Sequence, residues 1–348
     1  GGKVRKPPFK PIWENKTMRA IVFENRNVVS VQERPDPKLG VGEVLIEVHA
    51  SGICGTDLEV LHGNYGTSAY PLTPGHEYAG LVVEVGADVN VVKVGDRVAV
   101  DPNLECGHCS ACKRGWAHLC ETLGAYGVTT DGGFADYSVV HASHVRDIGD
   151  MPYDIAALAE PLGCVMNGLD AGQVHRANNA LVFGAGPIGI LMAIGMRLAG
   201  VKDVSLVDID ESRLVLAESF GFKGVASWSD SLTAMYQGVD LVADATGVPA
   251  VAGKLTNYIA NGGVGLFFGV CPQDAKIEVA PFELFRRQIT LAGSHSLNHN
   301  IPHALEGLRT YKGDVARVVS HRMTLDEIAD VFTGNVPKGS LKIQFTRS

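Results

Sequence analysis

The feature that most constrains this chain is a glycine-rich turn, Gly184-Ala-Gly186-Pro-Ile-Gly189, set between a short apolar run at residues 180–183 and a helical pattern at 188–198. A second strand-like run follows at 204–207, a second helical stretch at 211–220, and further apolar runs at 241–245 and 264–268. Strand and helix in alternation predict a parallel doubly wound sheet with right-handed crossovers. In such a turn Gly184 permits the tight bend and Gly186 lets a pyrophosphate approach the backbone. Gly189 lets helix and strand pack closely, and the helix N-terminus faces the negative charge. The spacing is weak evidence alone, but the flanking strand and helix strengthen it. Asp208 ends the next strand, where a carboxylate can accept from both ribose hydroxyls of NAD and would repel the 2′-phosphate of NADP. It also reads as an ordinary helix-start acid before Glu211. Arg213 can offset part of that repulsion, or simply be a solvated charge.

Ahead of this block, residues 28–145 read as short strands separated by Gly, Pro and Asp turns, for example at 43–49, 79–85 and 97–100. Residues 1–17 are basic and proline-rich with no apolar core behind them, and are expected to be an expression remnant or upstream extension outside the fold. After residue 294 the pattern becomes less regular. Thr324-Leu-Asp-Glu327 is a capping-box start for a helix to Phe332, and residues 341–345 alternate like a closing strand. With 46% hydrophobic residues in 348, the chain can fill two cores. No apolar stretch is long enough to cross a bilayer. Lys and Arg are scattered over a chain of net charge −8, so neither a nucleic-acid nor a membrane partner is expected. Seven cysteines without a secretion signal point to metal or thiol chemistry in the cytoplasm rather than a disulfide framework.

Four of those cysteines, Cys106, Cys109, Cys112 and Cys120, follow the spacing C-x2-C-x2-C-x7-C in a loop with Gly107 and Gly115. Four thiolates so placed can wrap one tetrahedral Zn²⁺ and leave no open position, which makes the site structural. An iron–sulfur cluster is the rival, since thiolates hold those too. A second group is dispersed: Cys54, His76, Glu77 and Glu160. Taken singly, each has an ordinary reading as a core thiol, a turn histidine or a helix-start carboxylate.

The order of motifs joins them. Gly75-His-Glu-Tyr-Ala-Gly80 with Gly86 and Val89, the four-cysteine loop, Lys93-Val-Gly-Asp-Arg-Val98, Gly132-Gly-Phe-Ala-Asp-Tyr137 and the Gly184 turn succeed one another as they do in zinc-dependent medium-chain alcohol dehydrogenases. The chain resembles that superfamily from Met18 onwards, and Glu160-Pro-Leu is similar to its polyol (sorbitol, L-iditol, alditol) dehydrogenase branch. There a Glu stands where the ethanol-oxidising branch has a cysteine ligand. The resemblance implies an α/β protein: a GroES-like, mostly-β catalytic domain at 18–165 and 301–348, and a Rossmann NAD-binding domain at 166–300. It implies catalytic zinc on Cys54 and His76, with Glu77 and Glu160 sharing the remaining contacts directly or through water. Asp57 would orient His76, and Thr56 would hydrogen-bond the reacting oxygen and pass its proton towards solvent. Pro187, Ile188, Thr246 and Val270 would join Gly184, Gly186, Gly189, Asp208 and Arg213 around NAD, in preference to NADP. A homodimer or homotetramer is implied as well.

Two departures bear on the substrate. Many polyol dehydrogenases have His where Glu59 stands, and sorbitol dehydrogenases carry an Arg–Tyr pair where Ser296 and Leu297 stand here. D-sorbitol itself is therefore doubtful, polyols as a class are not, and His295 and Asn298 are candidates for gripping hydroxyls. Cys164 and Cys271 are expected to carry no chemistry, and His62, His118, His141 and His144 to lie on the surface. The expected reaction is reversible hydride transfer from a secondary alcohol of a linear polyol to NAD, giving a ketose. L-Threonine 3-dehydrogenase-like activity is the alternative within enzymes. A non-catalytic NAD-binding relative is the alternative outside them, but such relatives can lose the Cys, His or Glu that this chain keeps.

Overall fold

The computed structural model describes residues 17–347; the expectation for residues 1–16 lies outside the described residues. Six parallel strands form one sheet in the spatial order Lys223–Ala226, Asp203–Asp208, Asn179–Phe183, Val239–Asp244, Ile259–Phe267, Thr290–Gly293. The chain starts in the middle, at Asn179–Phe183, steps outwards to one edge and then returns to build the other. The reversal point lies beside Phe183, which is in register with Val207 on one side and Asp244 on the other. A crevice at such a point is where doubly wound sheets take their ligands. The strands are apolar on both faces because helices cover both. Leu181, Val182, Leu206 and Val242 have no exposed surface.

The second sheet is largely antiparallel and runs Val319–Met323, Lys342–Thr346, Glu43–Gly52, Glu77–Val85, Arg97–Val100, Val145–Asp147, with Tyr137–His141 also paired to Glu43–Gly52. Its C-terminal strand closes against the early one in the register Gln344↔Gly52. That pairing carries Lys342 from the far end of the chain to the site described below. The capping box at Thr324 forms as its sequence predicts, with Thr324 N–H donating to Glu327 Oε2 at 2.8 Å and the helix Leu325–Phe332 following.

Three helices of eight residues or more escaped the pattern reading: Gly55–His62, Ala159–Ala171 and Ile301–Thr310. The second is buried along most of its length and contains Pro161, Gly163 and Gly168. Pro161 is tolerated in the first turn, where its missing N–H leaves no bond unmade. A Cβ on Gly168 would come within 2.8 Å of Phe268 Cδ2, so that glycine marks close packing rather than a break. The helix is apolar nearly all round, which erases the one-sided periodicity that identifies surface helices.

Candidate active site

The dispersed residues converge. Cys54 is the N-cap of the helix Gly55–His62, and its N–H donates to Asp57 Oδ2 at 2.8 Å. His76 immediately precedes the strand Glu77–Val85, whose first residue is Glu77. Donor atoms of Cys54, His76 and Glu77 lie within 4.8 Å of one another. A thiolate, an imidazole and a carboxylate are zinc-type donors, and three of them leave a fourth position open for chemistry. Asp57 Oδ1 is 3.3 Å from His76 Nδ1 but too far off line for a hydrogen bond, and Nδ1 is left without one. Asp57 thus stands where a partner that orients the imidazole belongs. Burial works to lower the His76 pKa, but the charges of Asp57 and Cys54 outweigh it and raise it well above the usual range. A pocket that drives protons onto its histidine is a pocket with too much negative charge, and a divalent cation satisfies that excess.

Glu77 is fixed from behind. Lys342 Nζ donates to both of its oxygens, at 2.8 and 2.7 Å, and to Ile53 O at 3.0 Å. Lysine and glutamate are both almost fully buried. Gly52 makes room for this pair: a Cβ there would sit 2.3 Å from Glu77 Oε2. Lys342 was missed in the sequence because nothing in a strand near the C-terminus announces a partner some 265 residues earlier. Glu160 is buried at the start of the helix Ala159–Ala171 but stands outside the close group of donors. Burial raises its pKa to about 7, against the opposing pull of His76. Cys164, expected to carry no chemistry, donates its thiol hydrogen to Glu160 Oε1 at 3.4 Å. Thr56 lies half-buried in the first turn after Cys54. Glu59 is exposed and accepts from Asn64 Nδ2 at 3.0 Å.

The four cysteines of the loop are also together, with their sulfurs within 4.8 Å of one another and none in a disulfide. The loop's own amides converge on the sulfurs. Cys106 N–H donates to Cys120 Sγ at 3.3 Å, Cys109 N–H to Cys106 Sγ at 3.3 Å and Cys112 N–H to Cys109 Sγ at 3.5 Å. The amide of Cys106 is the main reason the Cys120 thiol is pulled down to about 6. This donor set fits a closed tetrahedral zinc.

At the cofactor turn Gly184 has φ +101°, which favours glycine. A Cβ on Gly189 would lie 1.8 Å from Gly184 O, whereas one on Gly186 would meet only Arg213 Nη1, at 3.6 Å. The backbone of Gly186 is therefore open to a phosphate, ahead of the helix Pro187–Leu198 that carries Pro187 and Ile188 in its first turn. Asp208 braces the turn, accepting from Ala185 N–H at 2.8 Å and Asp210 N–H at 2.9 Å. Each carboxylate oxygen retains capacity for a ribose hydroxyl. Arg213 Nη1 stands 4.0 Å from Asp208 Oδ2. Thr246 donates to Asp244 Oδ1 at 2.6 Å, and Val270 is almost wholly exposed.

The segment after the last parallel strand packs against the four-cysteine loop. His295 Nδ1 lies 3.1 Å from His118 O, and Asn298 Nδ2 donates to Gly115 O at 2.9 Å, while Asn298 Oδ1 is buried without a hydrogen-bond partner among the described residues. Ser296 pairs with Asn103, and Leu297 is completely buried. Positive φ at Ser296 and His299 bends the segment back, a geometry unreadable from a run of polar residues. His118 and His144 are half-buried rather than superficial, and His144 Nδ1 lies 3.2 Å from Asp101 O.

Comparison with known proteins agrees with this geometry. Residues 40–150 match the alcohol dehydrogenase GroES-like domain family, and residues 187–309 the zinc-binding dehydrogenase family. D-Altritol 5-dehydrogenase of Agrobacterium fabrum is 50% identical over 333 residues, covering 94% of this chain and 99% of that protein. D-Arabinitol dehydrogenase 1 of Uromyces fabae is 32% identical over 94% of this chain and 96% of its own length. The fold of a chain assigned as a zinc-binding dehydrogenase from Sinorhizobium meliloti 1021, bound to NADP, superposes with a TM-score of 0.92 at 33% identity, over 96% of this chain and all of that one. The chain belongs to the zinc-binding dehydrogenases with a GroES-like alcohol dehydrogenase domain. It is an oxidoreductase with a two-domain α/β fold that uses zinc and a nicotinamide cofactor.

Proposed function

We propose that this enzyme oxidises a secondary hydroxyl of a linear polyol to a ketone, with NAD as the hydride acceptor. The observation that carries the substrate class is the 50% identity, over nearly both full lengths, to a protein that acts on D-altritol. Cys54, His76 and Glu77 would hold zinc, and Glu160 faces the same site from the next helix. Zinc supplies Lewis acidity towards a hydroxyl, and the nicotinamide takes the hydride. Thr56 accepts a hydrogen bond from the reacting hydroxyl and hands its proton outwards. Asp57 orients His76, and Lys342 locks the Glu77 carboxylate in place. A buried carboxylate at Glu160 suits a substrate with a second hydroxyl beside the reacting one, because Cys164 takes only Oε1 and a simple alcohol leaves the other oxygen unpaired at a cost of about 1–3 kcal/mol. kcat/KM should fall steeply from a matched five- or six-carbon polyol to 2-butanol. Equal activity on 2-butanol, or strong activity confined to L-threonine, overturns the substrate class and leaves hydride transfer standing.

The preference for NAD rests on Asp208 at the ribose position, with Arg213 as its opponent. Asp208→Ala should move the ratio of kcat/KM values towards NADP. A wild-type enzyme that already favours NADP would mean that Arg213 dominates. The division into a catalytic domain at 18–165 and 301–348 and a cofactor domain at 166–300 is supported by sheet membership, since each sheet draws all its strands from one of these sets. Seven free thiols suit a reducing cytoplasm. A homo-oligomer is supported by the edge strand Thr290–Gly293 and by Phe282 and Phe285, 65% and 82% exposed on the helix that precedes it. Sedimentation as a monomer at micromolar concentration would count against it.

A further inference from the structure

We infer that Cys164 is a positioning residue that holds the Glu160 carboxylate back from the metal, keeping the fourth position open to substrate. The inference rests on the reading of Glu160 as part of the zinc site. Glu160 and Cys164 are four residues apart on the helix Ala159–Ala171, so their side chains share one face, a turn apart. The Cys164 thiol donates to Glu160 Oε1 at 3.4 Å. This is the only side-chain hydrogen bond recorded for Glu160 among the described residues. Glu77, by contrast, is gripped through both oxygens by Lys342 and already stands among the donors. The two buried carboxylates are thus restrained unequally. One is pinned by a charge inside the donor group, and the other is tethered by a single neutral donor just outside it. A carboxylate freed at that point competes with a substrate hydroxyl for the vacant position, because anionic oxygen is the better ligand for a divalent cation.

The test compares Cys164→Ala with Cys164→Ser in the zinc-loaded enzyme, beside Glu160→Ala. Zinc release to a chelator and the separate values of KM and kcat are the readouts. Without the thiol, Glu160 should join the metal. Zinc release should slow and KM for the polyol rise, each by about tenfold, the lower end of what outer partners of metal ligands exert. Serine keeps a donor at the same place and should remain near wild type in both. If alanine and serine behave alike, the side chain only packs, and the inference fails. If alanine speeds zinc release, Cys164 supports ligation instead, and the inference fails in the opposite sense. Glu160→Ala should leave zinc release near wild type and raise KM for the polyol; if KM is unchanged, the placement of Glu160 in the zinc site is itself wrong.

Discussion

The two groups of zinc-type donors in this chain are built on opposite plans. The four-cysteine loop draws every donor from residues 106–120 and satisfies its sulfurs with its own amides. The dispersed site takes Cys54 from a helix cap, His76 and Glu77 from a strand start and Glu160 from the first turn of another helix, and Lys342 comes from a strand near the C-terminus. The first group is local and self-contained, and a metal bound there would close a loop. The second exists only when the antiparallel sheet has closed through its C-terminal strand and the helix Ala159–Ala171 is in place, so its geometry reports on long-range closure rather than on one loop. A closed site suits stability. A site assembled from several elements can leave one position open and surround it with independently adjustable groups.

The contrast can be broken most directly at His76. His76→Ala should lower kcat by roughly a thousandfold or more, because Lewis-acid charge stabilisation is worth several kcal/mol. Zinc content should drop from two ions per chain to about one, with the four-cysteine ion retained. Full activity in that variant would dissolve the distinction between the sites.

Next in size is the buried pair behind the site. In zinc-free protein, Lys342→Met leaves Glu77 charged and unpaired, at an expected cost of about 3–5 kcal/mol in unfolding free energy. The double variant Glu77→Gln with Lys342→Met should recover most of that stability but not the activity. Denaturant unfolding of the two, with the wild type, gives the result. Equal stability of single and double variants would show that the pair is not coupled.

How far each site could be read in advance follows from the same contrast. The cysteine spacing is a statement about neighbours in sequence, and the fold leaves those neighbours together. The parallel sheet was legible for a similar reason: most strands and the longer helices keep their own period, with boundaries moved as in the strand expected at 264–268 that begins at Ile259, but the short edge strand Lys223–Ala226 was not read. The dispersed site was legible only through the order of its motifs. Its innermost feature, the grip of Lys342 on Glu77, depends on the register Gln344↔Gly52, which no local pattern encodes. The all-round apolar helix Ala159–Ala171 hid in the same way, and with it the contact between Cys164 and Glu160. The segment at 295–298 was open to two readings, hydroxyl contacts or an ordinary polar loop. A turned backbone, unreadable from composition, brings His295 Nδ1 and Asn298 Nδ2 against the four-cysteine loop, while Asn298 Oδ1 stays buried without a hydrogen-bond partner among the described residues.

The local site should respond more gently. Cys109→Ser removes one thiolate from a closed set, and the loop should lose its zinc while the dispersed site keeps its own. For a chain of this size a loss of about 2 kcal/mol shifts Tm by roughly 3 °C. kcat should survive at temperatures below the new transition. Loss of both zinc ions in this variant would mean that the sites are not independent.

The finest comparison uses two glycines whose substitution tests different constraints. Gly107, in the four-cysteine loop, has φ +73° and open space where a Cβ would go. Gly107→Ala therefore meets only backbone strain, about 1–2 kcal/mol for a left-handed residue, and zinc content and kcat should be unchanged. Gly52 carries no such φ, but its Cβ would lie 2.3 Å from Glu77 Oε2. The carboxylate must move, and the grip of Lys342 leaves it little room to do so. Gly52→Ala should thus cost about as much stability as the loop variant while lowering kcat by at least about tenfold, since a displacement near 1 Å at a reacting centre can cost a hundredfold. Melting curves and kcat on the same preparations decide between the two effects. If Gly52→Ala loses stability and keeps kcat, Glu77 can shift without consequence, and its fixed position is a feature of packing rather than of catalysis.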